Sequence, residues 1–204
     1  MNLYNYFTIY FKNLKLNIPD EEIYRFSQIF SLKKLKKGDF FVREGDITPH
    51  MAFIKSGLVR FYYIDSKGKE LNQTFHREHS FVMNYNAAFK QIGSPFYIQA
   101  LEDCEIISGN YKEFESFYDI HPCWDRMVRI LVTENFMIKA KREQEFLLYD
   151  TKHRYEHFLS DRHDVAPRLS QYHIAMYLGV NPSSLNRIIK QAKKESSSHD
   201  SLVS

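Results

Sequence analysis

Between residues 165 and 194 the chain has no Asp or Glu but five bases, Arg168, Arg187, Lys190, Lys193 and Lys194; the remainder carries two more acids than bases. A local basic patch attracts a polyanion, because each phosphate met by Lys or Arg releases condensed counterions. Within the patch Ser183, Ser184, Asn186, Arg187 and Lys190 fall on the exposed side of a short helical segment, with Gln171 and Tyr172 on the segment before it. Asn and Arg pair bidentately with base edges in a major groove, and Ser at a helix N-terminus adds to the backbone N–H groups that meet phosphate. The chemistry on offer is recognition of nucleic acid. From charge alone, an ordinary solvated face fits equally well.

These side chains need a scaffold, and residues 171–190 read as helix, tight turn, helix. Ser170 caps the first helix, whose inner face is Ile174, Ala175 and Leu178; Ala175 lets a second helix come close. Gly179 ends that helix and makes the turn, Val180 points inward across it, Asn181 is an N-cap and Pro182 suits the first helical position. Leu185, Ile188 and Ile189 bury the second helix. A purely structural pair of helices would share this spacing, and the acid-free basic stretch tips the reading toward DNA.

The 204 residues, 44% hydrophobic and 26% charged, suffice for one or two packed domains and exclude disorder throughout. The longest apolar stretches, such as residues 174–180, fall far short of the roughly 20 residues of a membrane helix, and no signal-peptide pattern opens the chain. A cytoplasmic protein without membrane contact is expected. Cys104 and Cys123 are too few for a disulfide scaffold or a cysteine-ligated metal site and read as buried thiols.

Tyr4, Tyr6, Phe7, Tyr10, Phe11 and Leu14 suit an amphipathic helix within residues 1–18, and Pro19-Asp20-Glu21-Glu22 opens another, with Ile23, Phe26, Ile29 and Phe30 along one side. From Leu35 to about Gly109 short β-rich runs (40–43, 51–55, 58–64, 70–76, 81–83, 96–101 and 105–108) alternate with glycine-bearing turns, an antiparallel roll or barrel. A short helix near residues 111–118 follows. A long one then occupies 123–149 without Gly or Pro, apolar on more than one side through Trp124, Met127, Val128, Leu131 and Ile138, enough to need both the β unit and a second subunit. The polar, serine-rich residues 195–204 read as a disordered tail.

Taken together these features resemble the Crp/Fnr family of bacterial transcription regulators. The blocks that carry the resemblance are Leu35-Lys36-Lys37-Gly38-Asp39, Val42-Arg43-Glu44-Gly45-Asp46, Ile54-Lys55-Ser56-Gly57-Leu58-Val59-Arg60, Ala100-Leu101-Glu102-Asp103-Cys104-Glu105-Ile106 and Ile174-Ala175-Met176-Tyr177-Leu178-Gly179-Val180-Asn181-Pro182. The resemblance implies an α+β fold. Residues 1–122 hold the N-terminal helices and an antiparallel, cyclic-nucleotide-binding-like β-roll, 123–149 the dimerisation helix, and 150–194 a helix-turn-helix domain. It implies a homodimer on a near-palindromic promoter site, acting with RNA polymerase, its roll either taking an unidentified small-molecule effector or serving only as a dimer scaffold, and no enzyme or bound cofactor.

Two departures qualify this. Members that bind cyclic AMP carry Gly-Glu after the Phe matching Phe81 and Arg-Ser before the strand matching 96–101; here Val82-Met83 and Ser94-Pro95 stand there, so the ribose and phosphate anchors are missing and cyclic AMP is not the expected effector. No strand is readable after Lys194, so the family's β-hairpin wing is not expected here. A leading base-reading arginine of the family is replaced by Pro182, leaving Arg187 and Asn186 for base contact and Arg168, Lys190, Lys193 and Lys194 for phosphate. His76, His79, His153, His157 and His163 do not make a metal-ligand pattern, and neither a P-loop nor a Gly-x-Gly-x-x-Gly is present. The alternative is a β-roll sensor that acts through a protein partner without specific DNA binding.

Overall fold

The computed structural model describes residues 2–200, with side chains as far as Gln191. The chain forms two compact units, one built from the residues up to Tyr63 with Thr74–Lys139, the other from Ile64–Gln73 with the chain from Ala140 onward. In the first unit, α1 (Leu3–Asn13) starts at Asn2, whose side-chain oxygen accepts from the Asn5 N–H at 2.9 Å. Pro19 precedes α2 (Asp20–Gln28), and Asp20, Glu21 and Glu22 place three carboxylates at the positive end of that helix.

Eight strands follow: β1 (Phe30–Leu35), β2 (Phe40–Val42), β3 (His50–Ser56), β4 (Val59–Ile64), β5 (Glu70–His76), β6 (Phe81–Met83), β7 (Tyr97–Ala100) and β8 (Cys104–Asn110). They make two four-stranded sheets, ordered β1-β8-β3-β6 and β2-β7-β4-β5. Seven strands lie where alternation and glycine turns place them. The exception is β1. Phe30, expected on the face of α2, is its first residue and pairs with Gly109. It is an edge strand whose middle residues, Ser31 to Lys34, are all exposed, so its buried side never repeats and no strand pattern shows. Gly109 is required there because a Cβ would stand 2.6 Å from the Ile29 carbonyl oxygen.

Helix α3 (Tyr111–Glu115) and a 3-10 turn lead to α4 (Cys123–Leu148), 26 residues and about 39 Å long at 1.5 Å per residue. Its start is buried in the first unit. Trp124 and Met127 are 0% and 1% exposed and join Phe7, Phe11, Phe26 and Phe114 in one core, against which Val128 and Leu131 also pack. Trp124 and Met127, expected on the dimer face, are therefore consumed by their own chain. The exposed apolar residues of α4 lie further along, at Val132, Phe136, Met137 and Ile138 and again at Phe146, Leu147 and Leu148. Among the described residues no helix is long and apolar enough to cross a membrane.

The Trp124 indole N–H donates to the Glu22 carboxylate at 2.9 Å, with both side chains buried. Trp124→Phe removes that donor and leaves unfilled volume, and is expected to destabilise the protein by about 2–4 kcal/mol. Urea titration of both proteins checks this, and an unchanged midpoint would show the pair to be dispensable.

Candidate nucleic-acid interface

In the second unit, α5 (Thr151–Asp161) starts at Asp150, whose Oδ1 accepts from the His153 backbone N–H at 3.0 Å. A 3-10 turn at Ala166–Arg168 leads to α6 (Gln171–Leu178), capped as expected by Ser170. Gly179 adopts φ +73°, the left-handed conformation that closes a helix, and its N–H donates back to the Ala175 carbonyl. Val180 does the same at 3.0 Å, and α7 (Pro182–Asp200) opens on Pro182, with the Asn181 carbonyl accepting from Ser184 and Leu185. Ile174, Ala175, Leu178 and Leu185 are buried, as a helix pair closed by a tight turn requires.

The opposite side of α7 is open. Ser183, Asn186, Arg187 and Lys190 are exposed and share one face by their spacing of three and four residues. Ser184 is half-buried and accepts from the Arg187 guanidinium at 3.4 Å. Gln171 and Tyr172 are exposed in the first turn of α6. Arg168 ends the 3-10 turn, half-buried and already engaged within the protein. Helix α7 continues to Asp200, through much of the stretch that reads as a disordered tail, while the Lys193 and Lys194 side chains lie outside the described residues.

Three residues that support this helix pair were not legible in the sequence. Arg142 of α4 donates to the Tyr177 carbonyl at 2.9 Å and to the Asn72 carbonyl at 3.3 Å. Its guanidinium lies 4.6 Å from the Tyr177 ring centroid and 4.8 Å from that of Phe146. Asn72, 1% exposed in β5, donates through Nδ2 to the His173 carbonyl at 2.9 Å. Phe146 packs against the turn, where a Cβ on Gly179 would lie 3.3 Å from its ring. Arg142 sits in the run Lys139-Ala140-Lys141-Arg142-Glu143 and shows no pattern that sets it apart from its charged neighbours.

In the β-roll, the positions of the missing nucleotide anchors are filled. Val82 and Met83 are buried. The Ser94 hydroxyl, 2% exposed, donates to the Phe96 carbonyl at 2.7 Å. The roll interior is apolar, with Val42, Ile54, Val59, Phe61, Ile98 and Ile106 packed together and Phe96 against them. A π-helical turn at Asn86–Lys90 follows β6, and its first N–H groups, those of Asn86 and Ala87, donate to the buried Asn84 side chain at 3.2 and 3.4 Å. The Ser94 hydroxyl and the first N–H groups of the π-helical turn are thus used by the chain itself.

Residues 32–121 match the cyclic nucleotide-binding domain family. No curated protein matches the chain by sequence. Its fold is shared with solved structures at low identity. The c-di-GMP-responsive global regulator CLP of Xanthomonas campestris superposes with a TM-score of 0.71 at 15% identity, over 85% of this chain and 91% of that one. FixK2 of Bradyrhizobium japonicum gives 0.71 at 14% identity, over 82% and 86%. A transcriptional regulator of the Crp/Fnr family from Eubacterium rectale gives 0.71 at 15%, over 91% and 88%.

Two outcomes follow from the local geometry. Gly179→Ala forces a side chain into left-handed backbone against Phe146, and is expected to cost about 1–2 kcal/mol in a denaturant titration. Hydrogen bonds from the His153 backbone and side chain hold the Asp150 carboxyl below the usual carboxylate range. Its cap therefore stabilises above the unfolded pKa and is lost as pH falls through the lowered folded value. Asp150→Ala should lower the unfolding midpoint at neutral pH and converge with wild type in acid, whereas a constant difference across pH would refute the cap's role.

Proposed function

We propose that this chain, which carries a cyclic nucleotide-binding domain at residues 32–121 within the fold of Crp/Fnr regulators, is a transcription regulator that binds specific DNA through α7. The observation that carries the reading is the pairing of a closed helix-turn-helix with an exposed, acid-free α7 face bearing Asn186, Arg187 and Lys190. Arg187 and Asn186 read base edges; Lys190, with Lys193 and Lys194, meets phosphate. Ser183 and Ser184 sit at the positive end of α7, where backbone N–H groups also take phosphate.

Two copies joined through the exposed apolar stretch of α4, Val132 to Ile138, bind a near-palindromic promoter site, with half-sites about 34–36 Å apart, and act on RNA polymerase there. A protein of similar fold, CLP of Xanthomonas campestris, is a c-di-GMP-responsive regulator. Cyclic AMP is not the effector here, on the strength of Val82, Met83, Ser94 and Pro95 at the anchor positions and the bonded Ser94 hydroxyl. Any effector of this roll is a molecule held without those anchors.

Selection of bound duplexes from a random pool, followed by titration of the selected duplex, tests the proposal. A palindromic motif is expected, with Arg187→Ala costing about 1–3 kcal/mol and relaxing preference at one position per half-site. Lys190→Ala should weaken all sequences alike and reduce the salt slope by about one. Absence of any motif, with and without cell metabolites, would favour the sensor that acts through a protein partner. Calorimetric titration with cyclic AMP should give no heat of specific binding, and tight binding would overturn the effector assignment.

A further inference from the structure

We infer that Arg142 and Asn72 are positioning residues for DNA binding, a clasp that holds α6 and its turn so that α7 is presented to the groove. This rests on the DNA-binding reading above and assigns to it two residues that lie outside α7. The last carbonyls of a helix have no partner within it, and the C-terminal end carries partial negative charge, so a guanidinium is favoured there. Arg142 takes that place at the Tyr177 carbonyl, 2.9 Å away, one helical turn or less from Gly179. With its second donor at the Asn72 carbonyl, the same guanidinium ties the end of α6 to the hairpin segment Ile64–Gln73, which belongs to the same compact unit.

Asn72 closes the loop from the other side. Its carbonyl accepts from Arg142 while its Nδ2 donates to the His173 carbonyl at 2.9 Å. Helix α6 is thus gripped near its first turn by Asn72 and at its last by Arg142, and Phe146, one turn beyond Arg142 on α4, rests against the Gly179 turn. A helix held at both ends and at the turn leaves α7 little freedom to tilt. Recognition needs that restriction, because several base contacts must align at once and each freedom left in the protein lowers affinity. The Arg142 Nη2 and the Asn72 Nδ2 both donate to backbone carbonyls of the protein, which is the work of holding α6 in place.

The test uses the full chain with Arg142→Met, Asn72→Ala and the double variant. Affinity for the selected duplex should fall about tenfold or more in each single variant, with the slope of affinity against salt and the base preference both unchanged. The double variant should lose little more than the worse single one, since both act on one element. Stoichiometric titration separates this from misfolding: the clasp predicts a raised Kd at full active fraction, and a lowered active fraction with wild-type Kd overturns it. Hydrogen exchange supplies a readout that needs no DNA. Amides of the 64–73 hairpin and of α6 should exchange faster together in Arg142→Met while those of α1 and α2 do not change, and unaltered exchange refutes the clasp even if DNA binds. Faster exchange in Arg142→Met together with a wild type that selects no motif would instead overturn the DNA-binding reading, and with it the function assigned to the clasp.

Discussion

The contact between the Trp124 indole and the Glu22 carboxylate lies where the N-terminal unit is joined to the helix that leaves it. Phe26 stacks on that indole at 4.8 Å, Phe114 meets it edge-on at 5.8 Å, and Phe11 packs from α1 at 6.1 Å. A carboxylate carried this far from water is tolerable because it accepts a hydrogen bond and faces Arg25 at 3.9 Å. The start of α4 is thereby fixed in rotation about its own axis. That decides which of its apolar residues are spent inside the chain and which remain for another molecule.

The β-roll shows the same economy of polar groups. Its interior is filled by aliphatic and aromatic side chains, and the hydroxyl and amide groups around Asn84 and Ser94 bond to neighbouring backbone. A cavity lined by unpaired donors would invite an anion. The Ser94 hydroxyl and the Asn86 and Ala87 N–H groups instead bond within the chain.

The helix-turn-helix was legible because each of its backbone tasks admits few residue types. Ser170 supplies a cap oxygen, Gly179 a positive φ, and Pro182 a first helical residue without an N–H. The glycine turns of the roll were legible for the same reason. Strand β1 was hidden because an edge strand rich in lysine lacks a buried face to generate alternation. The division of α4 was also hidden: apolar residues on several sides of a helix do not say which side their own chain will cover. Arg142 and Asn72 stand 70 residues apart, and their partners are backbone carbonyls, which carry no sequence signature.

The lysines of β1 have a consequence for how this molecule meets its own kind. The outer edge of β1 offers a row of backbone donors and acceptors to any extended strand, the usual seed of sheet-to-sheet aggregation. Lys33, Lys34, Lys36 and Lys37 crowd that edge, and only Lys36 among them holds a salt bridge, to Asp103. Two copies approaching edge to edge would bring these lysines together. The repulsion works against strand-to-strand pairing of two copies along this edge of the sheet.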